Sequence, residues 1–187
     1  MPVPLIAASS EIGPAPVVHQ LAQERAIRPL FYNHYLIGTL PDNVYVRARA
    51  AGYFLPPTAV LTTLAAAWVY TGGVPPKQIS VLLQPGSSPE TGPWNIRAIR
   101  TAVSSAEMHH INGAAIATLE RTVGDLARWE EPGIARAAIT RLAAAGADLL
   151  AARRLLPEGQ RNSLQAFELI TELHRKRSRG ARLRVQR

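Results

Sequence analysis

Apolar and polar positions alternate between two periods along this chain. Val60, Leu61, Leu64 and Trp68 recur at helical spacing within "PPTAVLTTLAAAWVYTGG", where Pro56, Pro57 and Thr58 mark a start and Gly72-Gly73 a stop, so the pattern predicts one helix there. "KQISVLLQP" and "WNIRAIRTAV" read as strands separated by the turn-rich "PGSSPETGP", and a third short strand, "AAIA", runs into a helix opening at Thr118. In that helix Leu119, Val123, Leu126 and Ala127 form the predicted buried stripe, with Arg121, Asp125 and Arg128 together on the other face. A second helix after Pro132 turns Ile134, Ala138 and Leu142 inward and ends at Gly146. A third, about 161 to 175, uses Ala166, Leu169, Ile170 and Leu173.

The N-terminal third is punctuated by proline. Residues 1–17 carry Pro2, Pro4, Pro14 and Pro16 and read as an extended arm. Residues 18–50 predict one or two short helices interrupted at Pro29, a turn at "PDN" and a strand "VYVRA" from Val44, a sequence of elements that suggests a reduced winged helix. Its candidate recognition helix is "RAIRPLFYNHYL". The predicted class is therefore α+β: a small winged-helix-like head, a helix-backed small sheet over 51–174 and a helical C-terminal end, followed by a basic tail at 175–187.

Composition fits one folded unit of 187 residues, with 47% hydrophobic and 18% charged residues. Cysteine is absent, which excludes disulfides and thiolate chemistry. "MPVPLIAASSE" lacks a basic n-region, and the longest apolar stretch, 59 to 70, is too short for a bilayer, so a cytoplasmic protein without membrane contact is expected. The net charge of +8 is localised. Arg175, Lys176, Arg177, Arg179, Arg182, Arg184 and Arg187 lie in the last 13 residues without an acid, leaving 14 basic against 13 acidic residues elsewhere. Such a run is either a solvated, disordered tail or an arm for nucleic-acid phosphates or an acidic partner.

Catalytic motifs are sparse. No two of the five histidines stand at i, i+4, and His109-His110 beside Glu107 reads either as a metal-binding pair or as a polar loop between strands, the loop being favoured; no metal is expected. Gly72-Gly73 is followed by "VPPKQ" instead of a helix start, so it is not a phosphate loop, and no serine sits in a G-x-S-x-G elbow. The Arg121/Asp125 pair stands at i, i+4 and has two readings: a helix-stabilising surface pair, or, with Arg128 and Trp129 beside it, part of a partner-binding face.

Two segments carry a resemblance. "AVLTTLAAAWVYTGG" resembles the alanine-rich helix of AbiEi-type antitoxins from type IV toxin–antitoxin systems, in particular the mycobacterial MenA-like group. "INGAAIATLERTVGDLAR" resembles that family's following strand and helix, and Arg121, Thr122, Asp125, Leu126 and Ala127 match its R-T-x-x-D-L-A pattern. "GTLPDNVYVRA" is similar to the family's link between winged helix and C-terminal domain; Thr63 and Ala65 stand where the family usually has His and Ser. The resemblance covers roughly residues 36 to 146. It implies an antitoxin that neutralises a cognate nucleotidyltransferase-like toxin and represses its own operon through operator DNA, with no cofactor. An atypical serine protein kinase that inactivates the toxin with ATP, a reading attached to mycobacterial relatives, is one alternative, and a DNA-binding transcriptional regulator another. The stretch after Gly146 reads as too short for the Vsr-like nuclease domain of some actinobacterial relatives.

Overall fold

The structure, a computed structural model, describes residues 6–85, 95–158 and 161–185, without the side chains of 161 and 180–185. Its first elements are β1 (Ile6–Ala8), α1 (Ser9–Ile12), α2 (Ala15–Gln23), β2 (Ile27–Phe31) and β3 (His34–Ile37). The strands form an antiparallel sheet in the order β1-β3-β2, with Ile6 opposite Leu36 and Ile27 opposite Ile37. Two short helices joined by a tight turn at Gly13-Pro14 are followed by a hairpin that pairs back on the first strand, a winged-helix-like connectivity.

This corrects the expectations for the first third. Residues 6–17 are no extended arm: Pro14 caps α2 and Pro16 lies in its first turn, where a missing N–H costs nothing. "RAIRPLFYNHYL" is a hairpin, not a helix. Pro29 lies on β2, an edge strand that shifts register between Pro29 and Phe31, one of the few places a sheet tolerates proline. The "VYVRA" segment, expected as a strand, is the start of α3 (Val44–Gly52). The Asn43 side chain settles that choice by accepting from the N–H groups of Tyr45 (3.0 Å) and Val46 (3.1 Å). Ala48, Ala50 and Ala51 then become a fully buried helix face.

The head shares a core with the body. Phe31 stacks on Trp68 at 4.6 Å between centroids and meets Phe54 edge-on at 5.4 Å, within one cluster that also holds Leu36, Ala48 and Leu61. Arg47 of α3 adds a polar tie: its Nε donates to the Val69 carbonyl at 2.9 Å and its Nη1 to Asp42 at 2.8 Å. Glycine suits position 72 beside it: φ is +70, and a Cβ there would lie 2.8 Å from that Nη1 and force Arg47 to shift.

The body sheet comprises β4 (Val60–Leu61), β5 (Ile79–Leu83), β6 (Ile96–Arg100), β7 (Met108–Ile111) and β8 (Ala114–Ala117), in the order β6-β5-β4-β8-β7. β5 and β6 pair in parallel, as do β4 and β8. The expected helix from Pro56 begins later: Val60 and Leu61 belong to β4, and α4 spans Thr63–Thr71. Most of the turn-rich segment between β5 and β6 lies outside the described residues.

Four further helices follow among the described residues: α5 (Leu119–Trp129), α6 (Pro132–Ala144), α7 (Leu149–Arg154) and α8 (Arg161–Val185). They pack with α4 around Val123, Leu126, Ile139, Leu142 and Ile170. The predicted stripe of α6 is displaced: Ile134 is 49% exposed, whereas Ala135, Ala138, Ile139 and Leu142 face inward. α7, which periodicity did not reveal, is capped by Asp148, whose carboxylate accepts from Leu150 and Ala151. α8 continues through residues expected to be a tail, since Arg, Lys, Ala and Leu are good helix formers. The α+β class thus holds, with small sheets and a helical C-terminal end. Among the described residues, no helix is long and apolar enough to cross a membrane.

Candidate functional site

The R-T-x-x-D-L-A segment lies at the junction of sheet and helical bundle. β8 leads through Thr118 into α5, and the Thr118 hydroxyl caps the helix by accepting from the Arg121 N–H at 3.2 Å. The next turn is buried on every side: Arg121, Thr122, Val123, Gly124, Asp125 and Leu126 are all enclosed. Arg121 and Asp125 are therefore not on an outer face. They are 7% and 1% exposed, and the weak energetics of a surface pair do not apply.

Asp125 accepts three hydrogen bonds from two donors. Arg121 Nε lies 3.0 and 3.1 Å from its two oxygens, and the Thr62 hydroxyl donates to Oδ2 at 2.7 Å. Arg121 Nη1 then reaches Glu107 Oε1 at 2.7 Å. The other Glu107 oxygen accepts from the Ser104 N–H (3.0 Å) and hydroxyl (2.8 Å), closing a short 3-10 turn at Ser105–Glu107. Thr62, Asp125, Arg121, Glu107 and Ser104 form one polar chain from β4 through α5 to the turn before β7. Thr122 ties its hydroxyl to the Ala117 carbonyl at 3.2 Å.

Burial pushes the Asp125 carboxyl above the ordinary aspartate value, against the pull of Arg121 and the Thr62 hydroxyl. Burial also opposes the Arg121 charge, but Asp125 and Glu107 outweigh it and hold the guanidinium above its usual value. At Glu107, burial is overcome by the Ser104 bonds and by Arg121, so its carboxyl sits below the usual glutamate value. Each charge has an opposite neighbour, which gives the chain the character of a structural lock. A Thr hydroxyl against a carboxylate is the beginning of a nucleophile–base pair, yet Thr62 is fully buried and no substrate meets it in this conformation.

The remaining candidates are dispersed. Arg128 lies half-buried over the Trp129 ring at 4.9 Å, its pKa lowered by burial; Trp129 packs on the outer sheet face, and its carbonyl accepts from Arg97 at 3.0 Å. Arg175, Lys176, Arg177 and Arg179 are exposed on α8, some distance along the bundle. Arg182 and Arg184 lie on the same helix with side chains outside the description, and Arg187 lies outside the described residues. His109 and His110 are exposed neighbours on β7, directed to opposite sheet faces, and belong to a strand rather than a loop. Among the described residues no three His, Asp or Glu side chains converge as a metal site.

Sequence reasoning missed Thr62 and Ser104, and considered Glu107 only beside His109-His110. The long-range ties carried no signal, because nothing in spacing connects position 62 to 125 or 107 to 121. Ser104 and Glu107 did carry the S-x-x-E pattern of a capping box. No protein-family model matches the chain, and no curated protein is significantly similar to it.

Proposed function

We propose that this chain is an antitoxin that neutralises a nucleotidyltransferase-like toxin by binding it. The observation that carries this reading is the enclosure of the Arg121-Thr122-x-x-Asp125 motif. Its polar atoms engage one another and the sheet, so the segment resembling the AbiEi family builds a scaffold, and partner recognition falls to the surfaces around it. Co-expression with the nucleotidyltransferase-like product of an adjoining gene tests it. Binding predicts growth rescue, co-purification, and an unshifted intact mass of the toxin after incubation with this protein and ATP. Failure of both rescue and co-purification overturns the reading, and a mass increase of one phosphoryl group replaces it with the kinase alternative.

Operator binding is a second reading, favoured by the head. On this reading α2, not the hairpin, is the recognition helix, and its exposed His19, Gln20 and Gln23 are the side chains that would meet base edges.

A further inference from the structure

One turn beyond the Arg136–Glu172 ion pair, α6 and α8 leave a groove of about 370 Å3. Its floor is apolar, built by Ile139, Ala143, Leu149 and Leu173, and its rim carries two cations, Arg177 and Lys176, the latter 67% exposed while pairing with Glu172 at 2.7 Å. Beyond it α8 runs on to Val185, roughly 18 Å past Leu173 at 1.5 Å per residue, along a stretch with no acidic residue.

We propose that this groove receives an amphipathic helix of a partner protein, its apolar face flanked by carboxylates. An apolar floor between helices is the form that takes a helix edge, and cations along one side select acidic flanks. Nucleic acid fits less well, because the floor offers phosphates and bases no donor. A second copy of this chain would bring its own Lys176, Arg177 and following arginines into the same interface, where like charges repel. The inference rests on the reading of this chain as a partner-binding protein, not on which partner it binds.

The test uses the full chain and a fluorescein-labelled Leu/Glu amphipathic helical peptide, followed by anisotropy beside a Leu/Lys counterpart and oligo(dT). Two variants probe the groove: Ala144→Trp, which fills it from an exposed position, and Lys176→Glu/Arg177→Glu, which reverses its rim. Thermal melting checks that each variant folds. The Leu/Glu peptide is expected to bind, to weaken with salt, and to lose at least about tenfold in affinity in either folded variant. No binding, or binding that neither variant changes, overturns the proposal. So does oligo(dT) binding that Ala144→Trp abolishes, or a dimer in sedimentation that the same variant disperses. Neutralisation separates the two proposals. Peptide binding without toxin rescue sinks the antitoxin reading alone, whereas toxin rescue without peptide binding sinks the groove alone.

Discussion

The hydroxyl of Thr62 donates to Oδ2 of Asp125 at 2.7 Å across 63 positions of sequence, tying the strand-to-helix turn before α4 to the middle of α5. Asp125 also holds Arg121, so removing either charge leaves the other enclosed. Arg121→Ala and Asp125→Ala should each destabilise by about 3–5 kcal/mol, roughly 6–20 °C in Tm at 2–4 °C per kcal/mol. The double replacement Arg121→Leu/Asp125→Leu should cost less than the sum of the singles, because the two most deeply enclosed charges go together and only Glu107, partly exposed and still held by Ser104, loses its cation. Thermal melting of the four proteins checks this, and additive losses would show that the pair is not coupled.

Adjacent threonines should respond differently to glycine. Thr62→Gly removes a hydrogen bond to a charged group and should cost about 2–3 kcal/mol. Thr63 is just as buried but adopts φ 47, a conformation that a β-branched residue rarely tolerates, and its hydroxyl has no partner among the described residues. Glycine relieves that strain, so Thr63→Gly should cost less than about 1 kcal/mol despite emptying a buried position. Denaturant titration of both variants decides it; an equal loss at the two sites would remove the argument for strain.

Much of this was legible where one period dominates. Val123 and Leu126, Ala138 and Leu142, and Ala166 and Ile170 mark α5, α6 and α8 without help from the fold. Elsewhere two signals competed. Val44-Tyr45-Val46-Arg47 alternates like a strand, but Asn43 caps it as a helix. Asn112-Gly113, with φ 47 and 89, is a strong hairpin signal that would have placed His109 and His110 on β7. The lock itself was half visible. Arg121 and Asp125 share a helix face by spacing, while their enclosure depends on Thr62 and on Glu107, which arrive through the order of strands β4, β8 and β7.

Acid should loosen the lock from the Glu107 end. Its folded-state pKa lies below the ordinary glutamate value of 4.5, so it favours the folded chain above 4.5 and loses that contribution as pH falls through the lowered value. Asp125 acts with the opposite sign: its raised value makes ionisation less favourable in the folded chain, so its contribution declines as pH rises through the region above 3.8. Glu107→Gln keeps one acceptor oxygen, enough for Ser104 or for Arg121 but not for both, and no longer titrates. Stability against pH for this variant should be flatter below 4.5 than for the parent chain. Parallel curves would show that Glu107 does not govern the acid limb.

If the head binds an operator, its role and that of α8 should separate by their dependence on salt. Gln20 and Gln23 lie exposed on α2, and an amide there can read a base edge but neutralises no phosphate. Gln20→Ala/Gln23→Ala should therefore reduce discrimination between operator and scrambled duplex while leaving the slope of log affinity against log salt unchanged. Arg175 and Arg179 are exposed on α8 outside the rim of the groove, and Gln in their place keeps a good helix former. Arg175→Gln/Arg179→Gln should weaken both duplexes alike and make the slope shallower by about 0.9 for each phosphate no longer neutralised. Anisotropy titrations across a salt series measure both quantities. An unchanged slope would show that α8 neutralises no phosphate through these two arginines, and unchanged discrimination would remove α2 from the recognition position.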